Sequence, residues 1–312
     1  MESSTVVARA ARARRRLELR SRAAWLGPLV YVVVLAVAIA VRGLPTSRDA
    51  LIFWILLGLL AASLTNMRRW FRGLVVDWLP FAVVLFGYDL LRGYADRLFA
   101  PHIWPQLRID EWLFGAVPTP WLQARLWNPA HIDWIDYAAW GVYLTHFFAT
   151  LVVAACLWLV AYRLFRRYMA MVIVLAVAGL ATYTLFPAVP PWMAAENGDL
   201  APTSRIVGFV SEAAPIGHFG AIWEHGTRYA NDVAAMPSLH AAYSMLIALF
   251  FWRLVSRRWR PLLAAYPLAM ALALVYTGEH YVSDILVGWA YAAAAYFGVE
   301  ALARRRAAVR RE

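Results

Sequence analysis

An all-α polytopic membrane protein is the fold class this sequence predicts, and three observations predict it. Of 312 residues, 62% are hydrophobic and 16% charged, with a mean hydropathy of +0.56, whereas a soluble domain runs nearer half apolar and a quarter charged. Apolar stretches long enough to cross a bilayer recur along the chain, and arginines gather in alternate connections between them. The composition also excludes a disordered or collagen-like chain, and Cys156, with no second cysteine, excludes an internal disulfide scaffold.

A helix crossing a hydrocarbon core of about 30 Å needs about 20 apolar residues, and on that criterion about eight spans are expected. Residues 1–23 form a basic tail. The first span, 24–42, follows arginines and ends in small residues as a signal peptide does, but the spans after it make it a signal anchor. The second, 50–65, is short, and the third covers 74–95. A long connection, 96–133, places Trp104, Trp112, Trp121, Trp127 and the adjoining Trp134 around a proline-broken stretch. Tryptophan favours the headgroup layer, so an interfacial or re-entrant helix is expected there. The fourth span, 134–162, is long enough to tilt. The fifth, 168–187, leads into a second long connection, 188–236; the sixth is 238–256, the seventh a short 261–278, and the eighth 281–302. Residues 24–302 thus read as a single helical membrane domain, followed by a basic tail, 303–312.

All 30 basic residues are arginines, a usage that points to a GC-rich bacterial genome. With eight spans, 22 of them fall on one side of the membrane and 8 on the other. The positive-inside rule makes the richer side cytoplasmic, with both termini there and the two long connections outside. The formal charge of +11 then records topology and attraction to anionic lipid in a plasma membrane. No nucleic-acid partner is expected, and the sequence names no protein partner.

Candidate chemistry lies at two helix starts. His240 closes the string Ala-Ala-Met-Pro-Ser-Leu-His, residues 234–240. Pro237 suits a first helical turn, and the free amides and positive dipole end there form an anion site, which makes Ser238 and Leu239 phosphate-binding candidates. An ordinary helix start with an interfacial histidine is the alternative. His280 and Asp284, in Gly-Glu-His-Tyr-Val-Ser-Asp, are i and i+4 on one helical face. A carboxylate on one ring nitrogen fixes the tautomer and leaves the other basic; a purely structural His–Asp pair is the alternative. Eight spans put both helix starts on the outer side. An anion site, two histidines and an orienting aspartate are the parts for phosphoryl transfer through a phosphohistidine.

The string Pro-Ser-Leu-His, followed forty residues later by His-x-x-x-Asp, resembles the second and third signatures of the type 2 phosphatidic acid phosphatase superfamily. Leucine in place of the usual glycine, together with Phe-Pro-Ala-Val-Pro-Pro-Trp at 186–192, resembles its inositol phosphorylceramide synthase branch. The likeness covers about 74–302. It implies a lipid-phosphatase-type helical bundle that needs no metal or cofactor, with the site at the outer membrane face. His280 would be the nucleophile, Asp284 its orienter and His240 the acid–base group. The sequence departs from the common pattern in its basic residues. Leu274 stands where the superfamily has an arginine six residues before the nucleophile, and 181–204 holds no basic residue. Arg205 and Arg228 are the remaining candidates for a phosphate clamp, with ordinary surface arginines as the alternative; their scarcity fits a singly charged phosphodiester.

Further pocket candidates are Trp192, Tyr143, His146, Asp89 and Arg92. Asp89 and Arg92 are i and i+3 near the outer end of the third span and are expected to form an internal ion pair that positions helices, with a functional role for buried charge as the alternative. Asp77 and Asp136 also sit in or beside spans. His146 reads as a lining residue or as a satisfied core histidine.

The expected function is a lipid phosphotransferase that moves a phosphoinositol-type headgroup to a lipid or glycan alcohol. A phospholipid or polyprenyl phosphate would be its substrate, with surrounding membrane lipids as its partners. Hydrolysis of phosphatidic acid or a prenyl (di)phosphate is the alternative. A transporter should show paired broken helices in its two halves, and none are evident. A zinc hydrolase of the usual kind would carry HExxH, which is absent.

Overall fold

The computed structural model describes residues 25–42, 48–64, 66–83, 99–213 and 232–309. These are overwhelmingly helical; among them there is no strand, only isolated bridges joining His102, Ala188 and Ala234. The elements are α1 (Trp25–Arg42), α2 (Arg48–Ala62), α3 (Met67–Gly73), α4 (Trp104–Phe114), α5 (Pro118–Leu126), α6 (Trp134–Val160), α7 (Tyr162–Leu185), α8 (Pro191–Glu196), α9 (Ile206–Ala213), α10 (Leu239–Phe251), α11 (Arg260–Tyr276) and α12 (Val282–Val309). A π-helical turn, Leu74–Trp78, continues α3.

Five of these helices are long and apolar enough to cross a membrane: α1, α6, α7, α11 with the short turn before it, and α12. The chain is a helical membrane protein. Apolar helices also stand at the expected second and sixth spans, but they are shorter, at 15 and 13 residues. The expected third span runs partly outside the described residues. The expected fifth span starts six residues late, since α7 follows α6 after Ala161 alone, and α12 outruns its expected end by seven residues. The long connection before α6 holds two short helices, α4 and α5, with Trp104, Trp112 and Trp121 exposed on them.

Membrane helices hide polar groups among themselves and turn apolar ones outward. Leu185, Leu262, Leu272 and Phe297 are exposed accordingly. Asp77 and Asp136 are helix pins. Asp77, on the π turn, accepts from Trp158 Nε1 (3.1 Å) and from the Tyr162 hydroxyl (2.8 Å). Asp136 completes a capping box with Asp133 at the start of α6 and accepts from the Tyr276 hydroxyl at the end of α11.

The core is built around α10, which packs against α6, α7, α11 and α12. Leu239, Ala242 and Leu246 face the cluster formed with α7 and the C-terminal half of α6; Ala241 faces the cluster of α9, α11 and the N-terminal half of α6. Close approach is made possible by glycine. A Cβ on Gly288 of α12 would stand 2.4 Å from the Ser238 carbonyl oxygen, and one on Gly179 of α7 2.9 Å from Leu239. The first contact is with backbone and has no side chain to yield. Gly288→Ala is therefore expected to cost about 1–3 kcal/mol through overpacking. A thermal melt in detergent reads the loss, and an unshifted melting temperature would show that the two helices separate freely.

Candidate active site

The start of α10 is a capped helix end held from three sides. Ser238 is the N-cap; its hydroxyl accepts from the Ala241 amide (3.3 Å) and its carbonyl from Ala242 (2.9 Å). The Tyr183 hydroxyl donates to the Pro237 carbonyl (2.7 Å), and Ala188 brackets the approach by donating to Val233 (2.6 Å) and accepting from Ala235 (3.1 Å). The Ser238 amide donates to the Asp284 carbonyl (3.0 Å). That bond sets the starts of α10 and α12 side by side at one end of the bundle.

The loop before α12 turns at Gly278, whose φ of +80° suits glycine and whose missing side chain admits the Ser204 carbonyl, 2.8 Å from an ideal Cβ. The Leu274 carbonyl accepts from the Glu279 and His280 amides at 3.1 and 3.3 Å. So Leu274, where an arginine was the family expectation, is wholly buried and anchors the loop through its backbone. Gln123 ties α5 to the same place, donating to Ser204 and Tyr276 carbonyls and accepting from the Ser204 amide.

Two carboxylates use the first amides of α12. Asp110 of α4 accepts from Val282 (2.8 Å) and Ser283 (2.9 Å), and Asp284 Oδ2 accepts from Tyr281 (2.9 Å). Burial raises Asp110 above the usual carboxylate range, with the two amides pulling it partly back. The start of α12 is consequently filled by the protein's own anions, and of the two helix starts the expected anion site is left to α10.

The rings of His240 and His280 stand 5.7 Å apart, centroid to centroid. His280 Nδ1 lies 3.5 Å from Asp284 Oδ2, with His280 nearly and Asp284 completely buried. Such contacts are commonly long before substrate binds and tighten with it. His240 is sandwiched into α6: Tyr143 stacks on it at 4.7 Å and His146 at 3.8 Å. The structure therefore brings Tyr143 and His146 against His240. Leu239 turns its side chain into the core toward Gly179, so it faces the site by its amide alone.

Arg205 also arrives here. Its Nε and Nη2 donate to both Glu279 oxygens (2.9 and 3.4 Å), Nη1 lies 3.7 Å from Asp232, and the guanidinium lies over Trp192 at 4.6 Å. Burial would lower its pKa, but the Glu279 charge and hydrogen bonds outweigh that and raise it. Arg205 is thus one residue from His280 through Glu279, yet already matched by carboxylates. Asp89, Arg92 and Arg228 lie outside the described residues. Among those described, no three His, Cys, Asp or Glu side chains group as metal ligands.

Glu279, Asp232 and Asp110 were missed by sequence reasoning. Glu279 stood within the quoted string beside His280; nothing local connects Asp110 to a helix 172 residues away.

A family model described as the PAP2 superfamily matches residues 106–298, which hold every described site residue named above. Phosphoinositol dihydroceramide synthase of Bacteroides thetaiotaomicron is similar to this chain, 28% identical over 236 residues that cover 70% of this chain and 73% of the relative. No solved structure matches.

Proposed function

We propose, from the premise that the chain belongs to the PAP2 superfamily, that it transfers a phosphoinositol-type headgroup from a phospholipid to a lipid or glycan alcohol through a phosphohistidine at His280. The superfamily assignment and the named relative make it a membrane phosphatase or phosphotransferase. The observation that supports the finer reading is the pair of imidazoles 5.7 Å apart with a carboxylate behind one of them. That spacing admits a phosphoryl group between them.

In the first half-reaction His280 Nε2 attacks phosphorus while Asp284 holds Nδ1–H and stabilises the developing cation. The N–P bond forms as the bond to the diacylglycerol oxygen breaks, and protonated His240 donates its proton to that oxygen. In the second, an acceptor hydroxyl attacks phosphorus, His240 takes its proton, and the N–P bond breaks. Neutral His280 is restored. Water as acceptor would make the same cycle a phosphatase. The first-turn amides of α10, from Leu239 and His240, stabilise the phosphoryl oxygens, aided by the helix dipole. The arginine distribution supports an active site on the extracytoplasmic side of a bacterial plasma membrane.

Purified protein supplied with headgroup-labelled phosphatidylinositol should form an acid-labile, base-stable protein adduct, discharged on adding a ceramide acceptor. Absence of an adduct together with turnover would sink the phosphohistidine. His240→Ala should lower headgroup transfer by about 10²–10⁴. The deficit should shrink with a p-nitrophenyl phosphodiester, whose leaving group needs no proton. An equal deficit on both donors would remove His240 from the proton-transfer role.

A further inference from the structure

The charges around His280 do not balance in the way a phosphate clamp would require. Arg205 faces both oxygens of Glu279 and, at 3.7 Å, Asp232. Glu279 is buried, whereas the Arg205 side chain keeps 28% of its surface and Asp232 keeps 47%. Asp284 and Asp110 stand behind the same loop. Among the described residues, then, one guanidinium answers four carboxylates close to the nucleophile. The general-acid step adds one positive charge, on protonated His240. A phosphodiester brings one negative charge and meets that cation evenly. A phosphomonoester above neutral pH brings two, and its second charge would face Glu279 in partly dehydrated surroundings, where like charges at close range repel strongly.

We propose that Glu279 selects the charge of the donor: by taking up the Arg205 guanidinium it leaves no surplus positive charge among the described residues for a dianion, so the site accepts monoanionic phosphodiesters and rejects phosphomonoesters. This rests on the placement of His280 as nucleophile argued above. Glu279 is a specificity-determining residue in this account. Released from it, Arg205 becomes the clamp that a monoester needs, since a guanidinium grips phosphate oxygens bidentately.

The test uses the full chain in mixed micelles at pH 8, with phosphatidylinositol as the diester and phosphatidic acid as the monoester. Diacylglycerol release is the readout for both. Glu279→Gln keeps the shape and one acceptor oxygen while removing the charge and the second acceptor, and should raise the monoester-to-diester rate ratio about tenfold or more. Asp232→Asn, at a more exposed and better screened position, should move the ratio in the same direction by roughly threefold. A Glu279 that only holds the loop would lower both rates together, so an unchanged ratio overturns the inference while leaving the nucleophile in place. If Glu279→Gln does not fold or turn over, Asp232→Asn decides by the same criterion. A wild-type protein that releases diacylglycerol from neither lipid overturns this inference and the reading beneath it together.

Discussion

Replacing His280 with alanine is expected to abolish headgroup transfer and adduct formation while the bundle stays folded. Without the imidazole, the acceptor must attack the diester directly, and the two-step route is closed. In hydrolases whose catalytic groups act as a unit, loss of the nucleophile costs on the order of 10⁶ in kcat, so turnover should fall below detection. Folding should survive because the loop is held by backbone and by other side chains. The Leu274 carbonyl takes the residue-280 amide, and Asp110 holds Val282 and Ser283. Asp284 Oδ2 would still accept from Tyr281. Labelled-lipid transfer together with a melting curve checks both halves. Measurable transfer by folded His280→Ala would mean that another group attacks phosphorus.

Replacing Asp284 with asparagine should lower kcat by roughly 10⁴, by analogy with the corresponding change in hydrolase triads, and leave donor KM nearly unchanged. The side-chain oxygen can still accept from Tyr281, which preserves the turn. What is lost is the charge beside Nδ1, 3.5 Å away, and with it the tautomer that frees Nε2 for attack. Because the two residues act together, the double variant should be no slower than His280→Ala alone. A loss of only a few-fold in Asp284→Asn, or a loss confined to KM, would reduce the pair to a structural contact.

The helices were readable along the chain because burial in lipid acts residue by residue. A run such as 134–160 must be apolar almost throughout, and hydropathy registers that without knowledge of neighbours. Helix ends were less readable. The fifth span starts at Tyr162, where three arginines within two turns interrupt the apolar run although the chain is already helical; hydrogen bonding continues where hydropathy stops.

The candidate triplet was visible for a related reason. His240 sits three residues after a proline at a helix start, and His280 and Asp284 are one turn apart. Each half is local, and a count of membrane crossings brings the halves to one end. The comparisons then place the whole stretch in one superfamily.

Local pattern therefore determined the membrane class, the succession of apolar helices and the two motifs, since each arises from forces acting within a few residues. Tertiary structure decided how the charges are shared. Only packing brings Asp110 from α4 onto the first amides of α12, closes Glu279 on Arg205, and stacks His146 on His240. Those contacts link positions up to 173 residues apart. Electrostatic energy follows distance in space rather than separation along the chain.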